Sequence, residues 1–412
     1  MFVERQVLRE GSRARKVRLI LVLVFAVSIC PAQTVMRGSG GSVRLMATDA
    51  LVFDAREVKK DLPCTVTPVK PTLGFDLRFH SGYDVTIPLR EIAGEQDLLT
   101  ILFRVSPEDG KGDPVYFSQK YNVPKIEADA HGDAYLQGGF DLGEGDYHVD
   151  WLIRDRMERI CSFNWETNAA LNTKDQAMKL TLAANTVEPS DLEFFKQEAP
   201  VARINQEDPL KVKVLINFAP QKSAAASIQP IDTSALVSIL RNISREPRIC
   251  KFSIVAFNMN EQRVVYRQED ANQIDFPELG KALASLKPGT VDFKNLSNKH
   301  GDTEFLTKLI ETEVSGTKAD AVIFAGPKVM LDEGVSQENL KQYANNSPVF
   351  YMNFNLSPVQ APWRDAIGNA VKHMRGLEYT ITRPRDLWTA WTDIIGKIVK
   401  FKLVRASANG SQ

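Results

Sequence analysis

The chain has 412 residues, 43% hydrophobic and 25% charged, with equal numbers of basic and acidic side chains. That length is too great for one ordinary domain and implies two or three, and the composition is that of a globular protein with a core to bury. A net charge of zero removes the electrostatic case for nucleic acid or an anionic surface as a partner.

The N-terminus places Arg13, Arg15, Lys16 and Arg18 ahead of an apolar run at 19–30, followed by Pro31, Ala32 and Gln33. A basic stretch, a short apolar run and a small residue are the parts of a secretory signal peptide. The run is short of the roughly 20 residues a membrane-spanning helix needs. Residues 1–32 are therefore expected to be cleaved after Ala32, leaving no stable membrane span. A buried core helix fits poorly with the basic cluster, and a lipid anchor at Cys30 fits poorly with Ile29 before it and Pro31 after it. The mature chain then holds 45 basic and 49 acidic side chains, a mildly acidic protein exported to the periplasm or beyond. Export permits disulfides. Of the remaining Cys64, Cys161 and Cys250, the first two fall in one predicted domain and are the expected pair; three buried free thiols is the alternative that spacing leaves open.

Residues 33–50 are small and polar, with glycines at 38, 40 and 41, and 33–55 are expected to form a disordered leader. Residues 56–165 read as strands. Apolar and polar residues alternate at 73–79, 83–87 and 147–153, and 98–105 is an apolar run of strand length. Turn clusters at 80–82, 107–114, 131–133 and 143–145 separate them. That pattern predicts an antiparallel β-sandwich of immunoglobulin-like architecture. Residues 166–207 form a predicted connector, with a short helix at 188–196 whose Phe194 and Phe195 are costly to leave in water.

From 208 to 402 strands and helices alternate. Strands are expected at 212–218, 251–257, 263–267, 321–325 and 349–354. Helices are expected at 233–244, 277–286, 303–314, 336–344, 365–374 and 386–401. Thr233 is the expected N-cap of the first, Asp302 precedes the third, and Gly316 follows its end. This alternation predicts a doubly wound, Rossmann-like α/β domain with a mostly parallel sheet, and 403–412 is expected to be a disordered tail.

The most informative stretch is 211–221, a buried strand running into a polar turn. Open α/β domains place ligand groups there, at the carboxyl end of a parallel strand. The turn's spacing, the hairpin at 250–267, the His300-Gly301-Asp302-Thr303 loop and the late strand and helix at 377–388 together resemble a von Willebrand factor A domain over residues 208–402. The resemblance implies a metal-ion-dependent adhesion site. Its first loop would be Asp-x-Ser-x-Ser, and here those positions are Asn217, Ala219 and Gln221. Thr303 matches the family's metal-binding threonine. The fourth strand ends Phe324-Ala325-Gly326-Pro327 without the family's aspartate, and Asp302 and Asp332 lie outside the matching positions. A hard divalent cation favours anionic oxygen ligands, so the loops around Asn217, Ala219, Gln221, Thr303 and Gly326 are expected to form a contact surface with no metal and no cofactor.

Other chemistry is thin. The histidines at 80, 131, 148, 300 and 373 include no i, i+4 pair, and no Cys-x-x-Cys, phosphate-binding loop or nucleophile elbow occurs. Ser315-Gly316-Thr317-Lys318 has the spacing of a penicillin-binding motif without its partner motifs. Trp363, Trp388 and Trp391 read as packing residues. The expected function is therefore non-catalytic: an exported protein-interaction or adhesion-type module whose partner is another protein. A secreted hydrolase with dispersed active-site residues and a structural subunit of a cell-surface assembly are the alternatives.

Overall fold

The computed structural model describes residues 33–36, 45–94, 96–108, 110, 112–190, 193–204, 209–220, 228–286, 300–315, 318–329, 331, 335–336, 340, 342, 347–356 and 365–409. The expected signal peptide, Gln221, Gly316, Asp332, Trp363 and most of the expected helix at 336–344 lie outside the described residues.

The N-terminal half contains β1 (Thr34–Val35), α1 (Ala47–Ala55), β2 (Thr65–Leu73), β3 (Phe79–Pro88), β4 (Asp97–Pro107), β5 (Val115–Val123), β6 (Asp133–Leu142), β7 (Gly145–Arg154), β8 (Ile160–Ala169) and β9 (Val187–Pro189). The strands form two antiparallel sheets, in the orders β1-β5-β4-β7-β8 and β2-β3-β6-β9. Side chains alternate across a strand, so Tyr147, Val149, Trp151 and Ile153 of β7 share one face. They meet Tyr83, Val85 and Ile87 of β3 and Phe140 of β6 in a single core. Tyr83 stands edge-on to Phe103 and Trp151, with ring centroids 5.4 and 5.3 Å apart. Cys64 and Cys161 are disulfide-bonded, joining the start of β2 to β8 in the other sheet.

Four expectations fail here for identifiable reasons. The described residues of the expected disordered leader are ordered: β1 pairs with β5, and α1 packs Val52 and Phe53 onto Leu102, Leu152 and Ile160 on the outer face of the five-stranded sheet. The alternation at 73–79 is a turn, because Leu77 adopts a positive φ and Gly74 and Arg78 are bonded across it. The β-rich unit also runs past 165, since β8 reaches Ala169 and β9 pairs with β6. The segment expected as a helix at 188–196 begins as β9, and no helix occurs among its described residues.

The C-terminal half contains β10 (Leu210–Asn217), α2 (Pro230–Arg245), β11 (Ile249–Asn258), β12 (Arg263–Ala271), α3 (Phe276–Ala284), α4 (Gly301–Val314), β13 (Ala321–Pro327), β14 (Val349–Phe354), α5 (Ala366–His373), β15 (Leu377–Ile381) and α6 (Pro384–Asn409). The sheet order is β12-β11-β10-β13-β14-β15, parallel throughout except for the edge strand β12. Strands buried on both faces read as continuous apolar runs, as 212–216 does apart from Lys213. One face of the sheet packs on Leu236, Ile239 and Ile243 of α2, Phe276 and Leu279 of α3, and Leu387, Ile394 and Ile398 of α6. The other packs on Leu306, Leu309 and Ile310 of α4 and Ile367, Ala370 and Val371 of α5. The chain winds outward in both directions from β10, so the carboxyl ends of β10 and β13 lie at the point where the strand order reverses. This is where such sheets open a crevice.

Helix ends differ in detail. The N-cap of α2 is Gln229, and Thr233 lies in the first turn with its hydroxyl donating to the Gln229 carbonyl at 3.2 Å. The tail expected to be disordered from 403 is helical to Asn409. The connector docks on the α/β domain through its aromatic residues. Phe194 and Phe195 pack on the α/β core, and Phe195 sits so close to Gly280 that a Cβ there would lie 2.7 Å from the phenylalanine Cβ. Glu198 pairs with Arg241 and Arg245 of α2 at 2.9 and 2.7 Å. Among the described residues no helix is long and apolar enough to cross a membrane.

Candidate functional site

The carboxyl ends of β10, β13 and β14 bring together a set of short polar side chains with little or no exposure. Asn217 closes β10 and is fully buried. Its Oδ1 accepts hydrogen bonds from the backbone amides of Ala219 at 3.1 Å and Met259 at 3.2 Å. The neighbouring Asn258 donates from Nδ2 to the Phe218 carbonyl at 3.2 Å. Two asparagines thus cross-brace the turns after β10 and β11. Gly326 of β13 leans on this brace, and a Cβ there would lie 2.8 Å from the Cβ of Asn217. Asn217, Ala219 and Gly326 are therefore one cluster. Thr303 lies on a different element, in the first turn of α4, where it lines a shallow surface groove with His300, Glu304, Thr307, Lys308 and Glu311. Its neighbour Asp302 accepts from Gln262 Nε2 at 2.7 Å, fastening α4 to the β11–β12 hairpin.

These residues do not fit the divalent cation that the family resemblance implies. The oxygen at the position of the family's aspartate is neutral and already serves two amides, and Ala219 offers a buried methyl where a hydroxyl is needed. A small dication gives up its water only to a matched set of hard, largely anionic oxygens. No step is derived through such an ion.

The next strand, β14, and its neighbours hold residues that pattern reading overlooked. Asn353 closes β14 as Asn217 closes β10, fully buried, with Nδ2 donating to Glu378 Oε1 at 2.6 Å. Lys328 Nζ approaches the same carboxylate at 3.6 Å. The buried Tyr351 hydroxyl donates to the Pro327 carbonyl at 3.0 Å. Asp365 caps α5, its Oδ1 accepting from the amides of Val329 and Ile367 at 3.1 and 3.2 Å. An asparagine at the end of a buried strand is the signal common to 217 and 353. Asp365 and Glu378 become neighbours only through the β14–β15 pairing, which no local pattern announces.

Burial pushes the Asp365 carboxyl up from 3.8 to about 6, and the nearby Glu378 charge adds to the rise. The folded chain therefore holds a proton between about pH 4 and 6 that the unfolded chain releases, so this group makes stability fall as pH rises through that window. Asn caps helices as well as Asp does and carries no buried charge. Asp365→Asn is expected to keep α5 and to remove this part of the pH dependence, read as urea midpoints at pH 4.5 and 7 that lie closer together than in the wild type. Equal spacing in the two proteins would show that Asp365 titrates normally.

A second charged cluster braces the other domain. His80 lies between two carboxylates, with Nδ1 2.8 Å from Asp141 and Nε2 3.0 Å from Asp76. Arg78 bonds Glu188 at 2.8 Å, and Ser190 donates to Asp141 at 2.7 Å. Burial alone would push the imidazole down, but the hydrogen bonds to Asp141 and Asp76 outweigh it and raise it to about 10. Both ring nitrogens carry protons toward carboxylates, so this is an ion-pair network that ties β3, β6 and the segment after β9.

Comparison with known proteins adds fold likenesses at low similarity. No protein-family model matches the chain, and no curated protein sequence matches it. Among solved structures, the conserved hypothetical protein BatB from Bacteroides thetaiotaomicron is 15% identical at a TM-score of 0.29, over 46% of this chain and 99% of its own. An aerotolerance-related membrane protein from Bacteroides fragilis is 11% identical at 0.29, with the same coverages. A von Willebrand factor type A structure from Catenulispora acidiphila is 10% identical at 0.25, over 62% of this chain and 47% of its own. Scores of this size carry no argument, and the strand order above stands on its own.

Proposed function

We propose that this chain is an exported, non-catalytic protein-interaction module, in which an immunoglobulin-like β-sandwich and a von Willebrand factor A-like domain present the loops at the carboxyl edge of the α/β sheet to another protein. The observation that carries this reading is the side chain of Asn217. At the position where the resembled family uses a carboxylate to hold a cation, an amide oxygen faces inward and braces two turns. That brace supports reading the rim at the carboxyl edge of the sheet as a contact surface. Among the described residues no serine, cysteine or histidine side chain is bonded to Asp365 or Glu378. Rigid scaffold ends that display loops are where binding residues concentrate.

The test has two arms. Millimolar Mg2+ added to chelator-treated full-length protein is expected to leave the melting temperature of the α/β domain unchanged. A ligand bound only by the folded state at a hundredfold excess over its Kd would stabilise by about 2.7 kcal/mol, so a rise of several degrees that vanishes in Thr303→Ala would replace this reading with a metal-bridged one. In the second arm, full-length bait and a Lys328→Glu, Glu378→Lys variant are used to capture proteins from the native exported fraction. Loss of a captured protein in the variant is expected, and an identical captured set from both baits would remove the rim as the contact surface.

A further inference from the structure

The outer face of the five-stranded sheet carries a second set of groups unconnected with the rim. Glu108, His148 and Glu166 each place a ligand atom within 4.8 Å of the other two. Three adjacent strands hold them. His148 of β7 stands directly opposite Glu166 of β8 and Ser106 of β4, and Glu108 follows the end of β4 with its own amide bonded to the Asp146 carbonyl at 2.9 Å. The backbone positions are thus fixed by sheet pairing rather than by a loop.

The histidine is prepared for a ligand by what lies behind it. Its Nε2 is 3.0 Å from Oδ1 of Asp150, two residues along the same strand and on the same face. Asp150 is only 2% exposed. Arg104 meets Asp150 at 2.9 Å through Nε and at 2.8 Å through Nη2, and Arg104 is itself bonded to the Phe53 carbonyl of α1 at 3.2 Å and lies over the Phe53 ring. A carboxylate can only accept, so the neutral ring keeps its proton on Nε2 and presents the lone pair of Nδ1. A ring held in one tautomer by a buried carboxylate is the usual support for a metal-binding imidazole. His148 is only 8% exposed, and among the described residues no hydrogen bond reaches its Nδ1. The two glutamates are exposed.

We propose that Glu108, His148 and Glu166 form a binding site for a divalent first-row transition ion of the Zn2+ type. Two carboxylates balance the charge of the ion, and one imidazole selects against Ca2+ and Mg2+, which prefer oxygen alone. The exposed side supplies the entry path and leaves the remaining coordination positions to water or to an acceptor group on another molecule. The ion would also clamp β4, β7 and β8 together beneath the edge of α1.

The test uses tag-free, chelator-stripped full-length protein and Co2+ as a coloured substitute for Zn2+. Visible absorption is expected to saturate at one equivalent of Co2+, to be displaced by Zn2+ and to be indifferent to a tenfold excess of Ca2+. Glu108→Gln and Glu166→Gln alter exposed side chains, so both variants should melt as the wild type does without metal, and each should weaken binding at least tenfold. His148→Gln should abolish the absorption. Absence of a saturable signal up to millimolar Co2+, or a signal that persists unchanged in both glutamine variants, would overturn the site and leave the cluster as a buried histidine beside two exposed glutamates. The Mg2+ experiment on the α/β domain reads a different ion at a different place, so either result stands without the other.

Discussion

Full reduction of the Cys64–Cys161 disulfide is expected to destabilise the N-terminal domain by about 4 kcal/mol and to leave the C-terminal domain where it was. The two cysteines are 97 residues apart in sequence. Cross-linking a loop of that length removes enough freedom from the unfolded chain to be worth roughly 4–5 kcal/mol in the chain-entropy account. The bond also joins the two sheets across the shared core, with Cys161 itself buried. A denaturant series with and without reductant, followed by hydrogen exchange so that the two domains report separately, measures the effect. The Cys64→Ala, Cys161→Ala double variant should reproduce it in the absence of reductant. A shift of less than about 1 kcal/mol in the sandwich amides would mean that the unfolded chain stays compact enough to make the cross-link redundant.

Gly326→Ala is the second large effect, at about 3 kcal/mol. Gly326 has φ of +145°, a conformation that side chains seldom tolerate, and a Cβ there would press on Asn217 at 2.8 Å from its Cβ and 3.0 Å from its carbonyl oxygen. Backbone strain of this kind is worth roughly 1–3 kcal/mol, and forcing apart a packed pair adds about as much again. The contact falls on backbone and on the side chain that braces the turn after β10, so neither can swing away. Gly396 in α6 provides the internal control. A Cβ at 396 meets nothing within 4 Å, and alanine in a helix is favoured over glycine by roughly 0.5–1 kcal/mol, so Gly396→Ala should raise the midpoint that Gly326→Ala lowers. Two shifts of the same sign would refute this account of Gly326.

The sequence carried the α/β half well because its signals are local. Buried strands are short apolar runs, helices have a 3.6-residue period, and α3 and α5 start at Asp275 and Asp365, whose side chains accept from the first-turn amides. The N-terminal half was harder. A two-residue strand such as Thr34–Val35 has no period to detect, and the alternation at 73–79 is the same whether the chain extends or turns. The helix at 47–55 has no marked apolar face in its sequence and buries Asp49, Val52 and Phe53, and what stabilises it is a sheet face distant in sequence. The candidate sites follow the same division. Asn217 and Gly326 were visible because strand ends are visible. The neighbours of Asp365, and the trio Glu108, His148 and Glu166, are assembled by strand pairing between segments 13 to 58 residues apart, which spacing alone cannot disclose.

The route of the chain from one half to the other governs how the molecule would answer a pull. Tension applied through the sandwich reaches the α/β domain along 193–204, first straining the ion pairs of Glu198 with Arg241 and Arg245 and the seat of Phe195 on Gly280. Beyond them it enters β10, which is bonded on one side to β11 and on the other to β13. A central strand drawn along its own axis loads both ladders in shear, so its bonds resist together. An edge strand such as β12 or β15 would instead have one ladder to peel, bond by bond. The attachment at Leu210 therefore delivers force to the part of the sheet best placed to bear it.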